Sequence, residues 1–106
     1  MNKTATAILA IATLTVASAA FADQLEDMMK KNGCSACHSE DKKIVGPAYK
    51  DVAAKYHGNP KAAAMLEEKV KKGGSGVWGQ IPMPPNSQVS DADIKKMVEM
   101  ILALKK

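Results

Sequence analysis

The chain has 106 residues, a formal net charge of +4, and one Trp, two Tyr and one Phe as its only aromatic residues. That is the length of one small domain, and its charge is too modest for a nucleic-acid-binding surface to be expected. With two Cys and two His in all, a structural zinc site, which takes four such ligands, is hard to assemble.

The first 22 residues have the pattern of a secretory signal. Lys3 gives a positive start, positions 5–16 are apolar apart from threonines, and Ala20-Phe21-Ala22 places small residues where a signal peptidase cuts. Cleavage is expected after Ala22, leaving 23–106 as the mature domain. An uncleaved anchor is the alternative, but the run is short of the roughly 20 apolar residues that span a membrane. Loss of the leader removes Phe21 and leaves Tyr49, Tyr56 and Trp78. At about 80 residues a single core is marginal and a staple is usually needed. So few large side chains would fill a core poorly, and a bound apolar group would supply the missing bulk.

Positions 23–32 predict a short amphipathic helix with Leu25, Met28 and Met29 on one face and Gly33 as its stop. These methionines are read as packing residues. Then comes Cys34-Ser35-Ala36-Cys37-His38. Two thiols with two residues between them, followed at once by histidine, form the c-type haem attachment pattern. On one turn the thiols reach the two vinyl groups of one porphyrin, and His38 can take the iron as proximal ligand. A disulfide, a zinc half-site or a redox dithiol would be the plainer readings. The dithiol reading wants a βαβ setting, and no convincing strand is present. In the oxidising compartment reached by export free thiols rarely persist, which together with His38 favours the thioether reading.

Ile44-Val45-Gly46-Pro47 is a turn. A ligating imidazole needs its second nitrogen tied to an acceptor. The Pro47 carbonyl is placed to be that acceptor, and a rigid turn is the equally good alternative. Positions 49–56 predict a second helix with Val52, Ala53 and Tyr56 aligned and Gly58 beyond. His57 at its end is read as solvent-facing, with a second iron ligand as the sharper option. Asn59-Pro60 predicts the N-cap and first position of a third helix. Its stripe is Ala62, Ala63, Leu66 and Val70, ended by Gly73-Gly74.

Positions 73–89 are irregular, long for a connection in so small a domain, and such loops are usually functional. Within them Met83 is fenced by Pro82, Pro84 and Pro85. A methionine so placed cannot lie in a helix interior. It is expected to be the distal axial ligand, the alternative being a loop methionine that fills a gap. Ser90 with Asp93 predicts the start of a last helix, with Ile94, Met97, Val98, Ile101 and Leu102 as one stripe running to Lys105-Lys106 and packing across the first helix.

Taken together, the attachment motif, the stretch 45–56 (VGPAYKDVAAKY) and the stretch 76–86 (GVWGQIPMPPN) closely resemble the short bacterial class I cytochromes c of the c-551/c-552 type, over essentially the whole mature chain. The resemblance implies an all-α fold of about four short helices wrapped around one haem c. It implies thioethers at Cys34 and Cys37, and iron ligation by His38 and Met83. It further implies that the Pro47 carbonyl accepts from His38, that Trp78 donates to a haem propionate and that Asn86 holds the Met83 sulfur. A buried indole would need such an acceptor in any case. One departure is Lys69, where relatives carry a propionate-binding Arg. Lysine neutralises a carboxylate but cannot grip it as a planar fork.

A haem iron ligated by both His and Met has no open position, which suits a one-electron shuttle and not an enzyme. Lysines 30, 31, 42, 43, 50, 55, 71 and 72 could ring the exposed edge and steer transient redox partners, or simply solubilise the surface. The expected protein is a monomeric periplasmic electron carrier. It would have no nucleic-acid partner and no stable membrane insertion after cleavage. The resemblance implies a quinol-oxidising complex or another cytochrome as donor, and a nitrite reductase or terminal oxidase as acceptor. If Met83 does not ligate, the alternative is an open-site haem protein that binds gases or acts as a peroxidase. If no haem is attached, a thiol–disulfide protein remains.

Overall fold

The structure is a computed structural model that describes residues 14–104, with side chains described from Asp23 onward. It is all-helical, as expected: α1 (Leu14–Lys31), α2 (Tyr49–Lys55), α3 (Ala62–Lys72) and α4 (Asp91–Leu102), with a 3-10 turn at Cys34–Ala36. The described residues hold no strand, only the isolated bridges His38–Lys43 and Gly74–Met83. Lys3 and most of the apolar run of the expected leader lie outside the described residues. The bond after Ala22 falls inside α1, whose helix begins upstream of the expected start at Asp23. Lys105 and Lys106 lie outside the described residues too.

Helix α4 organises the packing, touching α1, α2 and α3. Its apolar stripe buries Ile94, Met97, Val98, Met100 and Ile101. The other helices bring Leu25 and Met29 from α1 and Tyr49 and Val52 from α2, while Leu66 and Val70 of α3 are partly buried against the cluster. Leu25, Ile94 and Val98 are the largest fully buried side chains, each worth about 1.5–3 kcal/mol of transfer free energy. The start of α4 is fixed as expected: the Ser90 hydroxyl accepts from the Asp93 N–H at 3.2 Å, satisfying one of the free donors of the first turn.

Helix α3 starts later than expected. The Asn59 side-chain oxygen accepts from the Lys61 N–H at 2.9 Å and the Asn59 carbonyl from the Ala62 N–H at 3.2 Å. Asn59 and Pro60 are thereby spent on a local turn of the kind asparagine favours, and the helix begins at Ala62. At its other end, the Lys71 ammonium donates to the Val89 carbonyl at 2.9 Å and pairs with Asp91 at 3.0 Å. That strap ties the end of α3 to the beginning of α4.

Candidate functional site

The short turn after α1 builds one wall of the site. Gly33 takes the left-handed conformation, φ 76°, which ends α1 and turns the chain. The Cys34 carbonyl then accepts from both the Cys37 and His38 N–H groups, at 3.2 and 3.0 Å. Within this turn both thiols and the imidazole come to line one cavity of about 250 Å³. Both cysteines are free and half-buried. Burial pushes the Cys34 thiol up from its ordinary range, with the Tyr49 hydroxyl acting against it.

His38 is held by the loop that follows. Its Nδ1 lies 2.8 Å from the Pro47 carbonyl. A carbonyl can only accept, so Nδ1 carries the proton and the lone pair is left on Nε2. The loop is itself tied back, with the Gly46 N–H donating to the Cys37 carbonyl at 2.8 Å and the Tyr49 N–H to the Ser39 carbonyl at 2.9 Å. Tyr49 stacks on the His38 ring, with centroids 5.1 Å apart and planes 21° off parallel. Burial, and secondarily the neighbouring Cys34 thiol, push the Tyr49 hydroxyl well above the usual tyrosine range.

Met83 lines the same cavity, from a loop clamped to α3. Gly74 and Met83 exchange two backbone hydrogen bonds, Gly74 N–H to Met83 carbonyl at 3.0 Å and Met83 N–H to Gly74 carbonyl at 2.8 Å. The Asn86 N–H is shared between the Val70 and Lys71 carbonyls, both at 3.2 Å. The approach is close enough to demand glycine at 73, where a Cβ would strike the Met83 carbonyl and lie 2.9 Å from the Pro84 and Pro85 backbone. Asn86 spends its side-chain amide on the Val70 carbonyl at 3.0 Å and the Pro84 carbonyl at 3.3 Å. It anchors the loop to α3 in this way, which differs from the expected contact with the Met83 sulfur.

Trp78 and Lys69 both line the cavity. Lys69 reaches along the Gly74 turn, its Nζ 2.6 Å from where a Cβ on that glycine would stand. The Lys55 ammonium lies over the Trp78 ring, 5.4 Å from its centroid, a cation–π contact that links the end of α2 to the loop. Nothing local in the sequence signals this contact or the Tyr49–His38 stack, because each joins residues from different segments. His57 is exposed and lies away from the cavity lining. Four of the eight expected docking lysines are paired with acids: Lys30 with Glu26, Lys50 with Asp41, Lys71 with Asp91 and Lys72 with Glu68. Lys43 lines the cavity.

The residues fit a haem. Two thiols, one imidazole nitrogen with its lone pair available and one thioether converge on a cavity whose other lining is mostly aliphatic and aromatic. Imidazole and thioether are ligands that suit haem iron. Val45, Val77, Trp78 and Ile81 are 43%, 51%, 39% and 67% exposed and all line this cavity. They form the apolar walls a flat porphyrin would cover. Among the described residues no group of three or more His, Cys, Asp or Glu could hold a metal ion by itself. No described helix is long and apolar enough to cross a membrane.

Comparison with known proteins agrees with this geometry. The family model described as cytochrome c matches residues 26–105. The chain is 56% identical to cytochrome c-552 of Nitrosomonas europaea over 96 residues, 91% of each chain. It is 53% identical to cytochrome c-551 of Allochromatium vinosum over 96 residues, 91% of this chain and 100% of that one. The crystal structure of wild-type Nitrosomonas europaea cytochrome c552 superposes with a TM-score of 0.73 at 59% identity, covering 76% of this chain and 99% of that one.

Proposed function

The chain belongs to the cytochrome c family as a bacterial class I member of the c-551/c-552 kind, and from that premise we propose that it is a periplasmic carrier of single electrons. Cys34 and Cys37 would hold one haem c through thioethers, and His38 Nε2 and the Met83 sulfur would bind its iron. The bound haem supplies a reversible ferric–ferrous couple. Everything else is done by the chain. The Pro47 carbonyl keeps the His38 proton on Nδ1 and so leaves the Nε2 lone pair free to bind the iron. The Gly74–Met83 backbone pair and the Asn86 anchor fix the loop that carries Met83, and would hold the thioether in place as an electron is lost and gained. With His38 and Met83 both on the iron there would be no open position for a substrate, which suits electron transfer and not catalysis. Trp78 and Lys69 line the cavity, with the Lys55 ammonium over the Trp78 ring; the Trp78 indole would donate to a haem propionate and Lys69 would supply positive charge there.

The observation that carries this reading is the set of residues brought to one cavity. A histidine fixed at Nδ1 and a methionine on a doubly clamped loop line one apolar cavity beside two free thiols. Partners would be redox proteins met briefly, steered by lysines near the cavity mouth such as Lys43. A quinol-oxidising complex or another cytochrome would donate electrons, and a nitrite reductase or terminal oxidase would accept them. The protein would act as a monomer. Residues 1–22 would be removed on export, so the mature N-terminus would be Asp23.

The test is the absorption spectrum of protein matured in a haem-attaching periplasm, oxidised and reduced, with and without carbon monoxide. Low-spin bands, a weak ferric methionine–iron band and no response to carbon monoxide are expected. In Met83→Ala the reduced protein should bind the gas. A parent protein that binds carbon monoxide would refute Met83 ligation. N-terminal sequencing of the same sample checks the Asp23 start.

A further inference from the structure

Three separate contacts bear on the His38 ring, and only one of them is the hydrogen bond to Pro47. A single bond at Nδ1 leaves the ring free to rock about its Cβ–Cγ axis while the bond bends. Tyr49 removes that freedom on one face, lying nearly parallel to the imidazole at 5.1 Å. The phenol is itself immobile: it is buried, 6% exposed, and belongs to the first turn of α2 in the central cluster. Gly46 closes on the far corner of the ring. A Cβ built there would overlap His38 Cε1 and lie 2.9 Å from Nδ1 and 3.0 Å from Nε2. Gly46 has no freedom to retreat, because its N–H is bonded to the Cys37 carbonyl at 2.8 Å and its carbonyl accepts from the Ile44 N–H.

We propose that Tyr49 and Gly46 are positioning residues that together fix the plane of the His38 imidazole, the hydrogen bond to Pro47 fixing only its tautomer. This inference rests on the reading of His38 as the axial ligand. The plane of an axial imidazole decides how its π electrons mix with the two iron d orbitals perpendicular to the porphyrin. A ring held in a slot keeps one orientation in both oxidation states, so less must move when an electron arrives. The glycine at 46 is required here for closeness of approach, and the aromatic ring at 49 for a flat bearing surface.

The experiment is proton NMR of the ferric, haem-loaded protein. The order and spread of the hyperfine-shifted haem methyl resonances report the axial ligand planes, which fold stability alone does not move. Three variants are compared with the parent. Tyr49→Phe keeps the flat ring and drops the hydroxyl, and its methyl pattern should match the parent. Tyr49→Met keeps apolar bulk without a plane, and Gly46→Ala intrudes on the ring corner; both should change the order or spread of the methyls. Parental patterns in both would overturn the proposal. So would a changed pattern in Tyr49→Phe, which would assign the role to the hydroxyl. If Tyr49→Met fails to load haem, Gly46→Ala and Tyr49→Phe decide by the same criteria. Failure of the premise looks different: the parent itself would lack the strongly shifted resonances of a metal-bound imidazole.

Discussion

Replacing Asn86 by alanine should free the Met83 loop without unfolding the domain. Two side-chain bonds are lost. The bond to Pro84 is long and exposed, 3.3 Å, and contributes little. The bond to Val70 is part-buried at 3.0 Å and is worth about 1 kcal/mol, the usual net value for such a bond. The backbone clamps remain, since the Asn86 N–H keeps Val70 and Lys71 and Met83 keeps Gly74. About 1 kcal/mol is roughly a fivefold change in an equilibrium constant. With Met83 as the proposed distal ligand, added imidazole would reach the iron only while Met83 is detached, so its apparent affinity would scale with the detached fraction. The ferric, haem-loaded Asn86→Ala protein should therefore bind imidazole about fivefold more tightly than the parent, read as the shift of the Soret band in a titration. Superimposable titration curves would refute the argument, showing that the Asn86–Val70 bond is not coupled to the methionine.

Ser90→Ala should cost about 1 kcal/mol by removing the cap of α4, lowering the melting temperature by roughly 4–8 °C in a domain of this size, with the visible spectrum unchanged. A double Cys34→Ala, Cys37→Ala protein cannot hold haem covalently, and the apolar walls at Val45, Val77, Trp78 and Ile81 would stay wet. Its far-ultraviolet circular dichroism should lose helix signal and its melt should lose cooperativity, whereas a cooperative melt near that of the loaded protein would count against the haem as part of the core. The Lys72 ammonium, bonded to Glu68 at 2.9 Å, holds the Glu68 carboxyl below its ordinary range. A lowered native value stabilises above the unfolded pKa and is lost as the pH falls through the native one. Any advantage of the parent over Glu68→Gln should therefore be present at neutral pH and fade in melts as the pH falls through the lowered Glu68 carboxyl range, and full solvent exposure keeps it small.

The site was legible where its chemistry is local in sequence. Cys34, Cys37 and His38 are neighbours, and Met83 is marked by prolines that forbid a helix. Pro47 reads equally well as an acceptor or as part of a rigid turn, and only the fold places its carbonyl 2.8 Å from His38 Nδ1. Ser90 announced α4 because its cap is made within three residues. The Asn59-Pro60 start misled by two residues because asparagine can satisfy a turn as readily as a helix end, and here bonds Lys61. The remainder depends on partners that no periodicity links. Tyr49 against His38, Lys55 over Trp78, Lys71 on Val89 and Asn86 on Val70 all join segments brought together only by the fold. The lysine surface was ambiguous for the same reason, since pairing with Glu26, Asp41, Glu68 and Asp91 depends on where each acid lies.

The last carbonyls of a helix have no partners within it and must find them elsewhere. In α3 the Val70 and Lys71 carbonyls find theirs in the Asn86 N–H, and Val70 also in the Asn86 amide. The methionine loop is thus the C-terminal cap of α3. Detachment of the loop uncaps the helix, so the two should open as one cooperative unit in native-state hydrogen exchange. Amides of Lys72, Gly74 and Met83 should share one opening free energy, below that of Val98 and Ile101 in the buried stripe of α4. Lengthening or shortening the loop would then alter exchange along α3 as well, so its length is constrained by helix stability in addition to any demand of the proposed methionine ligation.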